Sequence, residues 1–86
     1  MKADFHKKFD KQFAKLPKKQ QLQVRRAIKL FLENSQDPEL YNHSLKGEWQ
    51  GSRSIRAAGD LRLHFNEVSK YRVLFVAVGS HSQLYN

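Results

Sequence analysis

The apolar positions change period once along the chain, dividing it into a helical half and a strand half. Phe9, Phe13 and Leu16 recur at helical spacing with Lys7, Lys8, Lys11 and Lys15 between them, which predicts an amphipathic helix. Pro17 ends it and also suits the first turn of a second helix, where a missing N–H is harmless. In that helix Val24, Ala27, Ile28, Phe31 and Leu32 make the apolar stripe, and Lys18, Lys19, Arg25, Arg26 and Lys29 lie off it. The two helices are expected to pack as a hairpin. Asn34-Ser35-Gln36-Asp37-Pro38 closes the pattern with turn formers, and residues 35–51 read as a long connection containing Gly47 and Gly51.

From Ser52 the period is two. Ile55, then Leu61, Leu63 and Phe65, then Val73, Phe75 and Ala77 alternate with other residues, with Ala58-Gly59 and Asn66 to Lys70 as the turns between strands. Tyr71 to Val78 is apolar at nearly every position except Arg72, as in a central strand covered on both sides. Ala3 to His6 is expected to add a short first strand. The predicted fold is therefore α+β: a short N-terminal strand, then a two-helix hairpin packed on one face of an antiparallel sheet, with the other face free. At 86 residues there is room for one domain, spanning residues 1–86, and one modest core.

Charge changes the picture more than composition does. Sixteen Lys and Arg against eight Asp and Glu leave a formal charge of +8, and residues 1–30 hold ten basic side chains against two acidic ones. Such a field attracts polyanions, so a nucleic acid or an acidic protein is the expected partner. A solvated lysine face that serves solubility is the plain alternative. No apolar run approaches the roughly 20 residues of a membrane span. Met1-Lys2-Ala3-Asp4 does not resemble a secretory signal, and zero cysteines exclude disulfides and thiolate metal sites. A cytoplasmic location with no membrane partner is expected.

The candidate chemistry gathers in the strand half. Arg53, Arg56 and Arg62 lie in or beside the polar run Ser52 to Asp60, and the chain continues to Gly79-Ser80-His81-Ser82-Gln83-Leu84-Tyr85. Guanidiniums, an imidazole and a phenol on one sheet face are the groups needed to hold a phosphodiester and move protons on it. His81 is a candidate acid, because an imidazole titrates near neutrality. Asp60 and Arg62, two apart, would share a face if both lay on a strand. Asp60 also reads as a turn former beside Gly59.

Four segments in order carry a resemblance to a known family: His43-Ser44-Leu45-Lys46-Gly47, Trp49-Gln50-Gly51-Ser52-Arg53-Ser54, Gly59-Asp60-Leu61-Arg62-Leu63 and Val78-Gly79-Ser80-His81-Ser82-Gln83-Leu84-Tyr85. With them the chain resembles the RelE/ParE toxin superfamily, and within it the YafQ-type (RelE/StbE) toxins of bacterial toxin–antitoxin modules. The resemblance implies a ribosome-dependent mRNA endonuclease acting in the A site without a cofactor or metal, and silenced by an acidic antitoxin. It implies catalytic roles for His81, Asp60 and His43, with Arg62 in the same site and Tyr85 orienting a nucleotide. Phosphate or RNA contacts are expected from Arg53, Arg56 and Lys46, and from Lys18, Lys19, Arg25 and Arg26 on the second helix. Three positions depart from the YafQ pattern: Arg56 stands for a histidine, Leu61 for a tryptophan and Ala77 for an arginine. Glu48 stands near the acidic base of YoeB-like relatives but reads as a surface residue, and Trp49 reads as an anchor for residues 45–51. His6 and His64 are assigned no role. Alternatives on the same fold are a ParE-like gyrase-inhibiting toxin and a catalytically weak member that binds RNA or represses its own operon.

Overall fold

The first and last strands of the described chain lie side by side in the sheet. A computed structural model describes residues 1–85 and contains β1 (Lys2–Phe5), α1 (Lys7–Ala14), α2 (Lys18–Glu33), β2 (His43–Ser44), β3 (Arg53–Ala58), β4 (Leu61–Ser69), β5 (Arg72–Ser80) and α3 (His81–Leu84). The strands are ordered β1-β5-β4-β3-β2. From β2 to β5 every pairing is antiparallel, as the alternating pattern predicts, but β1 runs parallel to β5 with Phe5 opposite Phe75. The sheet is therefore mixed: the helical hairpin carries the chain from β1 at one edge to β2 at the other, and the meander back from β2 ends with β5 alongside β1.

Local chemistry explains where the helices start and stop. His6 caps α1 by accepting the Lys8 N–H on Nδ1 at 3.0 Å, which gives this histidine a structural use. Pro17 occupies the N-cap of α2. Between the helices, Gln21 Nε2 donates to the carbonyls of Phe13 and Leu16 and so ties the end of α1 to α2. Phe9, Val24, Ala27 and Phe31 bury themselves against Leu61, Leu63, Phe65 and Phe75. Phe31 meets Phe65 edge-on with centroids 4.9 Å apart and Phe75 at 5.6 Å. Each buried ring contributes about 1.5–3 kcal/mol, so this layer supplies most of the stability of a small domain.

Two expectations need correction. Residues 66–69 are strand rather than turn: Asn66, Glu67 and Ser69 pair with Leu74, Val73 and Arg72, leaving only Lys70 and Tyr71 between β4 and β5. Ladder hydrogen bonds carry a strand past the end of its apolar run. The 35–51 connection is also structured, with 3-10 turns at Pro38–Leu40 and Gly47–Trp49 flanking β2. These turns bury Leu40 and bring Trp49 across the second face of the sheet.

Candidate functional site

Register decides which side chains share the face turned away from α1 and α2. His43 pairs with Ser54, Ser54 with His64 and His64 with Ala77, so one row crosses β2, β3, β4 and β5. The neighbouring row is Arg56, Arg62 and Gly79. Arg53 pairs with Phe65 and so belongs to the helix-covered side, where its Nε donates to Asn42 Oδ1 at 2.9 Å. Three arginines on one face is therefore corrected to two, because Arg53 is an odd number of residues from Arg56.

The C-terminal segment folds over this face. Ser80 and Gln83 form a reciprocal capping box that starts α3, and Gly79 leaves the room that the Gln83 side chain fills. His81 N–H donates to Asp60 Oδ2 at 3.2 Å. Gly59, at φ 51°, makes the turn that presents this carboxylate, a conformation most side chains avoid. Asp60 thus lies before β4, and its carboxylate meets the His81 backbone, so the expectation that Asp60 and Arg62 share a strand face is corrected.

One turn of α3 later, the Tyr85 ring lies 4.5 Å from the His81 ring. Its hydroxyl reaches His64 Nε2 at 3.3 Å, a neutral hydrogen bond worth about 1 kcal/mol net. Trp49 completes the cover, with its indole edge-on to His64 at 4.4 Å and its Nε1 donating to the Leu84 carbonyl at 3.1 Å. Trp49 therefore ties the 45–51 connection to α3. Leu45, Ala77 and Leu84 are buried as well, so the second face is only partly open.

His64 was given no role by sequence reasoning, yet it is the hub. It has no solvent exposure, and burial pushes its imidazole down from 6.5 to about 4, aided by the positive charges of His43, Arg62 and His81. It is neutral at physiological pH. The signal was its place in the alternation opposite Leu63 and Phe65; what the sequence hid was the cover folding back from residues 49 and 85. Among the described residues, Ser54 Oγ, Arg62 Nε and His64 Nδ1 are buried without a hydrogen-bond partner, and all three belong to this face.

His43 is tied differently. Its Nδ1 lies 2.9 Å from the Tyr41 carbonyl, which can only accept, so Nδ1 carries the proton and the neutral ring keeps its lone pair on Nε2. That tautomer can accept a proton. His81 is exposed, as an acid that must meet a substrate needs to be.

The remaining candidates fall outside this cluster. Lys46 is exposed beside the Gly47–Trp49 turn. Arg26 pairs with Glu39 at 3.1 Å, and Arg25 lies over the Phe13 ring at 5.3 Å. Lys18 and Lys19 are exposed at the start of α2, and a cleft of about 540 Å³ runs from Lys15 and Lys19 to Asp60 and Gln83. The helix cations are thus in the layer behind the sheet, touching the site only at its Asp60 rim. Among the described residues no three His, Cys, Asp or Glu side chains are grouped to hold a metal ion, and no helix is long and apolar enough to cross a membrane.

Comparison with known proteins places these observations. The family model described as bacterial toxin of type II toxin–antitoxin system, YafQ, matches residues 1–86. Among solved structures, the chain is similar to YafQ from E. coli strain BL21(DE3), with 19% identity and a TM-score of 0.79 over 98% of this chain and 97% of that one. It is similar to a copper-bound mutant toxin from Helicobacter pylori, with 28% identity and a TM-score of 0.71 over 98% of each chain. It also matches a chain of the E. coli DinJ-YafQ toxin–antitoxin complex, with 22% identity and a TM-score of 0.75 over 98% of this chain and 96% of that one. No curated protein sequence matches it.

Proposed function

This chain belongs to the YafQ family of toxins from bacterial type II toxin–antitoxin systems, and from that premise we propose that it is an endoribonuclease cutting mRNA in the ribosomal A site. The observation that carries the reading is the convergence of His43, Arg62, His81 and Tyr85 around His64 on one sheet face, with Asp60 bonded to the His81 backbone. Cleavage by attack of the 2′-hydroxyl needs a base, cationic support for the phosphorane and an acid for the leaving 5′-oxygen. His43 Nε2 is the base, Arg62 with Arg56 supports the charge, and exposed His81 is the acid. Asp60 holds the start of α3 and with it His81. Tyr85 offers a ring face for a nucleobase, where stacking is worth on the order of 1–3 kcal/mol. The products are a 2′,3′-cyclic phosphate and a 5′-hydroxyl.

The basic helices suit docking on ribosomal RNA, with Lys18, Lys19 and Arg25 as phosphate contacts and Arg26 available once it leaves Glu39. The natural silencer is an acidic antitoxin that covers Arg56 and Arg62, as the toxin–antitoxin assignment of the family and the charge of +8 both favour. The cytoplasm is the compartment where these partners meet. A second reading, a catalytically weak RNA-binding member, is favoured by Ala77, which puts a methyl group in the row that holds His64.

Primer extension on mRNA from cells expressing the chain separates these readings. In-frame cleavage that disappears with His81→Ala supports the nuclease. Arrested translation with intact mRNA supports the weak binder and removes the nuclease.

A further inference from the structure

We infer that Ser54 Oγ, Arg62 Nε and His64 Nδ1 form a buried anion site for one phosphate oxygen of the RNA, lidded by Tyr85 and Trp49. All three atoms are buried and make no hydrogen bond to any described residue, and Ser54 and His64 have no solvent exposure at all. Buried polar groups are nearly always paired, so three orphans on one face point to a missing common partner. Ser54 and His64 are direct cross-strand partners, and Arg62 lies two residues from His64 on the same side of β4.

The sign of the partner follows from the chemistry. Arg62 Nε is only a donor, and Ser54 can donate. When the Tyr85 hydroxyl donates a hydrogen bond to His64 Nε2, the neutral imidazole carries its hydrogen on Nδ1 and becomes the third donor. The groups acting on His64 from the packed elements are His43 from β2, Arg62 from β4 and His81 from α3, and each opposes a further positive charge. Beside it stand only the Tyr85 phenol and the Trp49 indole, both uncharged. Three buried donors, one of them on the Arg62 guanidinium, fit an anionic oxygen. Access runs past Tyr85, which is 40% exposed and held to His64 by one hydrogen bond. The site also answers a deficit, because Ala77 stands opposite His64 where the resemblance expects an arginine.

The proposal takes its phosphate source from the nuclease reading, but its test does not need cleavage. Inorganic phosphate is titrated into the full chain at neutral pH while Trp49 emission and the His64 ring nitrogens are followed by fluorescence and NMR. The expected result is a saturable change in both, with the proton on His64 Nδ1 and the titration midpoint of His64 raised by phosphate. Ser54→Ala should keep or raise thermal stability, since it removes an unpaired buried hydroxyl, yet weaken phosphate binding by about tenfold. A response that matches sodium chloride at equal ionic strength, is unchanged in Ser54→Ala, or is confined to His43 and His81 overturns the site. Marked destabilisation by Ser54→Ala does so too, because the hydroxyl then has a partner already. Phosphate binding without mRNA cleavage keeps the pocket and removes the nuclease reading; cleavage without phosphate binding does the reverse.

Discussion

Alternate residues of the same strands face two different worlds. Beneath α1 and α2, Leu61, Leu63, Phe65 and Phe75 meet aromatic and aliphatic partners and contain no polar group that needs one. Across the sheet, Arg62 and His64, one residue away in each case, sit among Ser54, His43 and a cover made by Trp49 and Tyr85, with three buried polar atoms unpaired. The first face maximises contact; the second holds groups in readiness at a cost in stability. In so small a domain, unpaired polar groups on one side are tolerable only because the other side is packed so well.

The comparison breaks most completely if the packed face is opened. Phe75→Ala removes a ring that touches Phe5, Phe9, Phe31 and Phe65, and should cost about 3–5 kcal/mol, read by chemical denaturation. Activity would be lost through unfolding. On the opposite face, His81→Ala should lower mRNA cleavage by roughly a hundredfold or more while leaving the denaturation midpoint nearly unchanged. An unfolded His81→Ala protein, or one cleaving at the parental rate, would erase the distinction between the faces.

Acid sharpens the contrast. The pKa of His64 is depressed to about 4 in the fold against 6.5 for the free group, so between these values the unfolded chain binds a proton that the folded chain refuses. Stability therefore falls as pH drops from 6.5 toward 4, by up to about 3 kcal/mol, and His64→Gln should remove that portion of the slope. Denaturation at pH 7 and pH 4.5 on both proteins measures it. The smallest effect should come from the helix layer. Charge reversal at Lys18, Lys19, Arg25 and Arg26 is expected to weaken ribosome co-sedimentation in a salt-dependent way without shifting the cleavage positions. Shifted cleavage positions would show that the two layers do not divide docking from chemistry.

Both helices and the meander are readable from periodicity because each rests on local repetition: Phe9 and Phe13 four apart, Leu61, Leu63 and Phe65 two apart. His43, His81 and Tyr85 were singled out from motifs, and the structure gathers them on one side. What escaped depends on long-range pairing. The parallel docking of β1 needs the partner strand β5, and the side on which Arg53 lies needs a register with Phe65. His64 looked like an idle alternation residue because its lid comes from positions 15 residues before and 21 after it. The strand content of Asn66 to Ser69 escaped for another reason: their side chains are polar, while the hydrogen bonds that make them a strand belong to the backbone.

The parallel pairing of β1 with β5 sets a schedule for maturation. Residues 2–5 are synthesised about 70 residues before their hydrogen-bonding partners at 72–75. Helix hairpin formation is local and early, whereas closing a loop of about 70 residues waits for the end. His81 and Tyr85 come later still, after β5, so the cover over His64 is assembled after the sheet beneath it. The face that gathers His43, His64 and Tyr85 is therefore complete only once β5 and α3 have both been made.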